Sequence, residues 1–320
     1  MSDRVVVVGG GPAGCEAALQ LANAGHDVTL LEMRPVRRTE AHQSENLGEL
    51  VCTNSFKSIH PKNAHGQLKR EMRALGSLLL NCADETSVPA GSALAVDRQL
   101  FSAAMTRAVV SHTSIEVVRE ESEALPEGPA IVATGPLTSD ALSSAIQGAL
   151  GNEGLAFYDA IAPIVHRDSL DESVVFEAGR FEEDSDYLNC PMNKAEYLAF
   201  IEALLAGDVR EGPDWDAVPY FEGCLPIEVM ASRGKDTPRF GPMKPIGLAD
   251  PRSGERPYAV VQLRREDRAG QMWNLVGFQT RLRIGAQKSV FRLIPGLEQC
   301  EFLRWGSIHR NAYLNFSKLG

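Results

Sequence analysis

The first thirty residues constrain the fold of this chain more than any other stretch. Four consecutive valines are followed by a glycine turn, a helical run with apolar periodicity and a second apolar segment, in the order Val5–Val8, Gly9–Gly14, Cys15–Ala24 and Val28–Glu32. A buried parallel strand, a glycine turn, a helix and a second strand ending in an acid form the dinucleotide-binding βαβ unit. The sequence therefore predicts an α/β fold with a parallel sheet and a nucleotide site at its first turn.

Each glycine of the turn has a predicted task. Gly9 allows the tight turn, Gly11 lets the backbone approach a diphosphate, and Gly14 lets the helix pack close to the strand. The residues predicted to hold the diphosphate, together with the N-terminus of the helix, are Gly9, Gly10, Gly11, Pro12, Ala13 and Gly14. A glycine turn that binds nothing is the alternative, because such turns are common in loops. The preceding strand and the following helix favour binding.

Glu32 ends the second strand, 18 residues after Gly14. A carboxylate at this position is expected to hydrogen-bond the hydroxyls of an adenosine ribose and to repel a 2′-phosphate, so the site favours FAD or NAD over NADP. A later apolar strand ends in Ala133-Thr134-Gly135, which is typical of two-dinucleotide-type flavoproteins and adds Thr134 and Gly135 to an FAD site. A second GxGxxG and a redox cysteine pair are both missing from the sequence, which argues against a flavin disulfide reductase.

Periodicity predicts the remaining elements. Helices are expected at 65–84, 97–111, 136–150 and 195–206, the first with an apolar stripe of Leu68, Met72, Leu75, Leu79 and Cys82. Strands are expected at 115–118, 126–135, 158–165, 174–176 and 187–189, and a β-hairpin at 258–278 with a charged turn at 264–271. Segments beyond residue 150 are shorter and richer in Pro and Gly, which indicates a second, inserted α+β domain.

Composition narrows the function classes. The 320 residues contain no apolar run long enough to span a membrane, and the first strand begins too early to leave room for a signal peptide. Six scattered cysteines without a CxxC pair, and histidines without ligand spacing, predict a cytoplasmic protein with reduced thiols and no metal. The net charge is −10, yet residues 233–320 carry 16 basic and 7 acidic side chains. This asymmetry suggests a polyanion-binding face, and a solvated arginine-rich surface is the alternative.

Two of the six cysteines differ from the others in their surroundings. Cys52 is followed by Thr53, Asn54 and Ser55, and Cys224 lies on a turn opened by Gly223. Free cysteines are usually buried and inert, so spacing alone does not distinguish a reactive thiol from a packed one at either position.

Longer motifs carry a family resemblance. They lie throughout the chain, at 9–14, 32–35, 49–55, 88–91, 133–139, 187–192, 221–230, 240–245, 256–264 and 309–311. With Glu-Leu-Val-Cys-Thr-Asn-Ser at 49–55 and Phe-Glu-Gly-Cys-Leu-Pro-Ile-Glu at 221–228, the chain resembles the folate- and FAD-dependent tRNA (uracil-5-)methyltransferases, TrmFO. The resemblance covers essentially all 320 residues.

The resemblance implies a reaction. It implies reductive methylation of the T-loop uridine of tRNA to ribothymidine, with FAD as cofactor and methylenetetrahydrofolate and NAD(P)H as co-substrates. It assigns Cys224 as the thiolate that attacks uracil and Cys52 as a residue near the flavin that assists or protects the activated methylene. The basic residues expected to follow the RNA backbone are Arg281, Arg283, Lys288, Arg292, Arg304 and Arg310.

The change in character near residue 150 and the family resemblance together predict the domain boundaries. We expect a Rossmann-type FAD-binding domain at 1–150, an inserted domain facing the RNA at 151–305, and the start of a return to the FAD domain at 306–320. Chains of the family continue beyond this point, so the last strand and helix of the FAD domain are expected to be missing. Three alternative functions stay open. The first is methylation of ribosomal RNA by the same chemistry, and the second is an inactive RNA-binding remnant. The third is modification of a wobble uridine, which fits the sequence contexts of Cys52 and Cys224 poorly.

Overall fold

The structure is a computed structural model, and it describes residues 4–39, 41–150, 155–180, 185–210, 220 and 222–313. The chain forms two compact units. Unit 1 comprises Met1–Ser87, Val96–Tyr158 and His309–Gly320, and unit 2 comprises Val88–Ala95 and Asp159–Ile308. Among the described residues, no helix is long and apolar enough to cross a membrane.

Strands and helices alternate in the first part of the chain, whereas strands dominate the second. The strands are β1 (Val5–Val8), β2 (Val28–Leu31), β3 (Ser55–Ser58), β4 (Ser87–Val88), β5 (Ala93–Val96), β6 (Ile115–Val118), β7 (Ala130–Val132), β8 (Leu155–Ile161), β9 (Ile164–His166), β10 (Phe176–Glu177), β11 (Tyr187–Met192), β12 (Ala259–Arg265), β13 (Met272–Leu275), β14 (Phe302–Arg304) and β15 (Ser307–Tyr313). The helices are α1 (Pro12–Asn23), α2 (Ala64–Ala74), α3 (Leu78–Glu85), α4 (Arg98–Val110), α5 (Asp140–Leu150), α6 (Lys194–Ala206), α7 (Ile227–Ser232), α8 (Thr237–Phe240) and α9 (Ile284–Phe291).

Unit 1 contains a four-stranded sheet in the order β6-β2-β1-β7, with all three neighbouring pairs parallel. The four valines of β1 suit its centre, because β-branched side chains pack well on a pleated surface. Val7 and Val8 are buried there. In chain order this is the 3-2-1-4 arrangement of a Rossmann half. The predicted parallel sheet is confirmed.

Helix α1 packs on this sheet through small side chains. Its buried positions, Gly14, Cys15, Ala18 and Ala22, recur at three- and four-residue spacing and form one face. Pro12 occupies the first turn, where a missing N–H costs nothing, and Gly25 follows the helix at φ +91°. Small residues on the buried face let the helix lie close to the strands, which brings its N-terminus to the end of β1.

The single helix predicted at 65–84 is wrong, because the chain forms α2 and α3 there with a break between them. Gly76 adopts φ +74°, and Ser77 then caps α3. The carboxylate of Glu16, from α1, accepts hydrogen bonds from Ser77 Oγ and from the N–H groups of the next two residues. Two members of the predicted apolar stripe, Leu68 and Leu75, are consequently exposed.

Unit 2 is built on a six-stranded sheet in the order β10-β11-β12-β13-β9-β14, and each neighbouring pair is antiparallel. The predicted hairpin is confirmed as β12 and β13, whose turn is held by Asp267 Oδ1 accepting from the N–H groups of Gln271 and Met272. The strand predicted at 158–165 is wrong in its length, because β8 ends before Pro163 and β9 follows it. Tyr197 and Phe200 of α6 are fully buried in the core of this unit.

Candidate functional site

A cleft of about 310 Å³ lies in unit 1, where β1, β2 and β7 end. Parallel strands of open α/β sheets bind ligands at this edge. The cleft is lined by eight of the nine residues predicted to bind a cofactor, namely Gly9, Gly10, Gly11, Pro12, Ala13, Glu32, Thr134 and Gly135. Gly14, the ninth, lies in α1 and is buried.

The glycines of the turn have different surroundings. Gly9 has φ +103°, and a Cβ placed there would lie 2.7 Å from the Cα of Thr134. A Cβ on Gly14 would lie 1.8 Å from the carbonyl oxygen of Gly9, so no other residue fits between helix and turn. A Cβ on Gly11 would meet no atom of a described residue within 4 Å, its chain neighbours aside. Gly9 and Gly14 thus make the turn possible, while Gly11 leaves room beside it.

The N-terminus of α1 is suited to an anion. Its N-cap, Gly11, has no side chain with which to accept a hydrogen bond from the first turn, and both Pro12 and Ala13 line the cleft. The free N–H groups and the helix dipole at such an end attract phosphate. The space beside Gly11 and the donors of this turn fit a dinucleotide diphosphate.

Glu32 is buried at the end of β2, and its carboxylate is occupied by protein donors. Oε2 accepts from Gly10 N and Arg34 Nη2, both at 2.9 Å, and Oε1 accepts from Arg34 N at 2.9 Å and Arg34 Nε at 2.8 Å. Burial raises the pKa of this carboxyl, but the hydrogen bonds and charge of Arg34 outweigh burial, so the pKa lies below its ordinary value. The predicted bond to a ribose hydroxyl would have to share an oxygen that already accepts two donors.

This ion pair predicts an acid-sensitive contribution to stability. Folding lowers the pKa of this carboxyl below its value in the unfolded chain, which is about 4.3. The carboxylate therefore stabilises the folded state fully at pH values above about 4.3. This contribution is lost as the pH falls through the pKa of the folded state. Glu32→Gln should lower the free energy of unfolding by about 3 kcal/mol at neutral pH, since it leaves Arg34 short of a partner. The difference from wild type should shrink below about pH 4. Urea unfolding of both proteins across this range measures it, and a pH-independent difference would contradict the ion pair's role.

Sequence reasoning missed part of the cleft lining. Glu49 and Val51, from the segment before β3, and Glu120 and Glu121, after β6, also line it. The residues after β6 could have been found, because the ends of neighbouring parallel strands meet at one edge. Nothing in the local sequence brings Glu49 there. These carboxylates make the cleft acidic, which agrees with a nucleotide that lacks a 2′-phosphate.

The two cysteines singled out from the sequence are the two that are not buried. Cys52 and Cys224 are half-buried, and the other four are buried. Burial raises the pKa of the Cys15 thiol to about 12 and that of Cys82 to about 11. It also raises the thiol pKa of Cys190 and of Cys300. Since the thiolate is the nucleophile, these four cysteines are poorly suited to catalysis.

Cys52 and Cys224 belong to different units. Cys52, in unit 1, directly follows Val51 of the cleft lining. Cys224, in unit 2, ends a short 3₁₀ helix just before α7. The start of α7 is fixed by two contacts: Ile227 N donates to the carbonyl of Gln279 at 2.8 Å, and the buried carboxylate of Glu228 accepts from Thr280 Oγ1 at 2.9 Å.

The basic side chains of the predicted RNA face have mixed environments. Arg283 pairs with Asp208, and Arg292 donates to the carbonyl of Cys300. The side chain of Arg310 lies outside the described residues. A continuous phosphate-binding track through these arginines therefore stays a prediction. Among the described residues, no group of three or more His, Cys, Asp or Glu side chains is placed to hold a metal ion.

Comparison with known proteins identifies the family. The family model described as "Glucose inhibited division protein A" matches residues 4–320. The chain is 55% identical over 316 residues to the methylenetetrahydrofolate–tRNA-(uracil-5-)-methyltransferase TrmFO of Rubrobacter xylanophilus, covering 98% of this chain and 70% of that protein. It is 57% identical to the TrmFO of Synechococcus sp. strain JA-2-3B'a(2-13), covering 98% and 69%. The chain belongs to the TrmFO family.

Solved structures agree with this fold. Two crystal forms of GidA from Aquifex aeolicus match 97% of the TrmFO-family chain with TM-scores of 0.69 and 0.70, at 16% sequence identity. The chain covers 56% of the GidA chain in the first of these crystal forms and 58% in the second. At this identity the likeness concerns the fold alone, and it confirms the predicted Rossmann-type class. The resemblance predicted from the sequence motifs is confirmed by the TrmFO relatives.

Proposed function

We propose that this chain is a methylenetetrahydrofolate–tRNA-(uracil-5-)-methyltransferase that uses FAD and NAD(P)H to convert the T-loop uridine of tRNA to ribothymidine. The observation that carries the proposal is the 55% identity to a TrmFO enzyme over 98% of the chain. The cleft at the glycine turn and the two cysteines that are not fully buried support it.

The cleft of unit 1 is the proposed FAD site. The N–H groups at the start of α1 would hold the diphosphate, with Gly11 leaving room for its approach. Glu32 and the other acids of the lining would favour an adenosine without a 2′-phosphate, and Thr134 and Gly135 border the same space. When bound and reduced by NAD(P)H, FAD supplies the hydride that turns a methylene into a methyl group.

Cys224 is the proposed nucleophile toward the RNA. Carbon 5 of uracil is a weak nucleophile until a thiolate adds to carbon 6, which leaves electron density on carbon 5 for attack on the methylene carbon. Loss of the carbon-5 proton then expels the folate nitrogen from the methylene carbon, which becomes an exocyclic methylene on the uracil. Hydride addition to this methylene gives the methyl group, expels the thiolate from carbon 6 and restores the 5,6 double bond, so Cys224 is regenerated. Cys52 is proposed to assist or protect the activated methylene beside the flavin, and its position directly after a cleft-lining residue supports this role.

The proposed RNA substrate is tRNA, as in the names of the relatives, and the proposed location is the cytoplasm. The excess of basic residues in 233–320 supports a polyanion partner despite the acidic net charge, because binding depends on the local field. A uridine of a folded loop must leave its stack to reach such a site. Ribosomal RNA with the same chemistry is the alternative substrate.

One reaction tests the proposal. The purified chain, loaded with FAD, is incubated with unmodified tRNA, methylenetetrahydrofolate and NADPH or NADH, and the RNA is digested to nucleosides for mass spectrometry. The proposal predicts ribothymidine at the T-loop position, none when the folate is omitted, and none in a parallel sample of unmodified ribosomal RNA. Product on ribosomal RNA alone would assign the alternative substrate. Absence of product with an FAD-loaded chain would contradict the proposal.

A further inference from the structure

The segment Glu49–Cys52 connects the cleft to a cysteine, and it contains no helix or strand. Glu49 and Val51 line the cleft, and Cys52 follows them. A thiol on irregular backbone is placed accurately only if other contacts hold that backbone. Two arginines of unit 1 supply such contacts.

Arg98, the first residue of α4, holds the far end of the segment. Its Nη1 donates to the carbonyl of Leu50 at 2.6 Å, and its Nη2 donates to the carbonyl of Cys52 at 3.0 Å. The backbone on both sides of Val51 is therefore fixed to the start of a helix, and that helix is anchored by its own N-cap, Asp97.

Arg34 holds the other end of the segment, at Glu49. Its side chain is only 2% exposed, its Nε and Nη2 donate to Glu32, and its Nη1 donates to Glu49 Oε2 at 2.7 Å. Glu49 in turn accepts from Gln43 N at 2.7 Å and Ser44 N at 3.3 Å. One guanidinium thus joins the acid that fixes Gly10 of the glycine turn to the acid that begins the Cys52 segment.

We propose that Arg34 is a positioning residue that couples the occupancy of the dinucleotide cleft to the placement of Cys52. Through Glu32 it reaches the N–H of the glycine turn, and through Glu49 it reaches the segment that ends at Cys52. A ligand that orders one end should order the other. The task requires arginine, because a planar fork can serve two carboxylates at once, whereas the ammonium of lysine is a single point charge.

Burial and charge are consistent with this arrangement. Burial lowers the pKa of Arg34, but its bonds to Glu32 and Glu49 outweigh burial and raise the pKa above its ordinary value. The inference rests on the proposed function in two respects only: that the cleft binds FAD and that the thiol of Cys52 takes part in the reaction. If Arg34 merely neutralised buried acids, Cys52 would be insensitive to its replacement.

The test follows Cys52 directly. Alkylation by iodoacetamide is quantified by peptide mass spectrometry at Cys52, with glutathione added to the same sample as the reference thiol, with and without saturating FAD. In the wild type, FAD should slow alkylation of Cys52 relative to glutathione. Arg34→Lys should weaken FAD binding about tenfold and raise the rate at Cys52 by a similar factor, since it breaks a buried bidentate pair.

Glu49→Gln separates the two ends. It keeps the Arg34–Glu32 pair but removes a charge from the cleft lining, so each variant is compared at an FAD concentration that titration shows to be saturating for it. The protection of Cys52 by FAD should nevertheless fall toward none. Arg73→Lys is the matched control, since Arg73 also makes a bidentate pair, with Asp84 on α3, and it should change neither readout.

Each outcome decides the inference. Faster alkylation and lost protection in Glu49→Gln support it, even if Arg34→Lys fails to fold. Undiminished protection in Glu49→Gln would overturn it, because FAD would then shield Cys52 without the link. If the wild-type chain binds no FAD, the proposed function fails. The inference is tested separately by the alkylation rate of Cys52 without FAD: an unchanged rate in Glu49→Gln would overturn it.

Discussion

Replacing Cys224 with serine is expected to abolish methyl transfer and to leave FAD binding unchanged. A hydroxyl is far less acidic than a thiol, so it does not add to carbon 6 of uracil, and carbon 5 stays unreactive. Loss of a covalent nucleophile costs on the order of 10⁴-fold or more in rate. Because Cys224 is not among the residues that line the proposed flavin cleft, the flavin absorbance of the loaded variant should match wild type. Ribothymidine formation and flavin absorbance, measured on one preparation, check both halves.

Cys82→Ala is the matched control for this variant. Cys82 is buried in α3, and its thiol is held in the neutral form. Its removal should cost about 1 kcal/mol of stability through lost packing and leave the rate of methyl transfer within about twofold of wild type. Full activity of Cys224→Ser would remove Cys224 from the mechanism, whereas loss of bound flavin would give it a structural role instead.

Gly11→Val is expected to weaken FAD binding about 100-fold without destabilising the protein, because overpacking at a close contact costs about 1–3 kcal/mol. The backbone of Gly11 is extended, at φ −72° and ψ 179°, and this conformation suits valine. In the part of the chain that the structure describes, no residue other than the neighbours of Gly11 has an atom within 4 Å of the added Cβ. The new side chain would instead occupy the space where the diphosphate is proposed to approach. Fluorescence titration with FAD and a thermal melt of the apoprotein measure the two effects.

Substitutions at two other glycines are the controls for Gly11→Val. Gly148, in α5, also has no described residue outside its own helix backbone and chain neighbours within 4 Å of an added Cβ, so Gly148→Ala should keep the FAD affinity of wild type. Gly14→Ala should unfold or strongly destabilise the protein, since its Cβ would overlap the carbonyl of Gly9. Unchanged FAD affinity in Gly11→Val would mean that the diphosphate does not lie against this turn.

Much of unit 1 could be predicted because its signals are local. The run of valines, the glycine turn and the small face of α1 each determine their own conformation, and a parallel βαβ unit brings its loop to one edge of the sheet. Polar and glycine neighbours in the sequence set Cys52 and Cys224 apart, and these are the two cysteines that are not buried, although the sequence alone left open whether either was packed.

The remaining features depend on contacts between distant residues. The apolar periodicity of the sequence continues past Gly76, but the chain breaks there between α2 and α3. The carboxylate of Glu16, about sixty positions earlier, accepts a hydrogen bond from Ser77 at the start of α3. Glu32 was expected to face a ribose, but Arg34 occupies both of its oxygens and extends the network to Glu49. No periodicity or motif spacing encodes such a network, since its members come from separate segments that meet only in the folded chain.

Transfer of a labelled one-carbon unit tests the central claim most directly. The FAD-loaded chain is given NADPH, unmodified tRNA and methylenetetrahydrofolate carrying ¹³C in its methylene group, with S-adenosylmethionine in a parallel sample in place of the folate. The account predicts that ¹³C appears in the methyl group of ribothymidine, and that Cys224→Ser gives none. Methylation that depends on S-adenosylmethionine, or no label in RNA from an FAD-loaded wild-type chain, would contradict it.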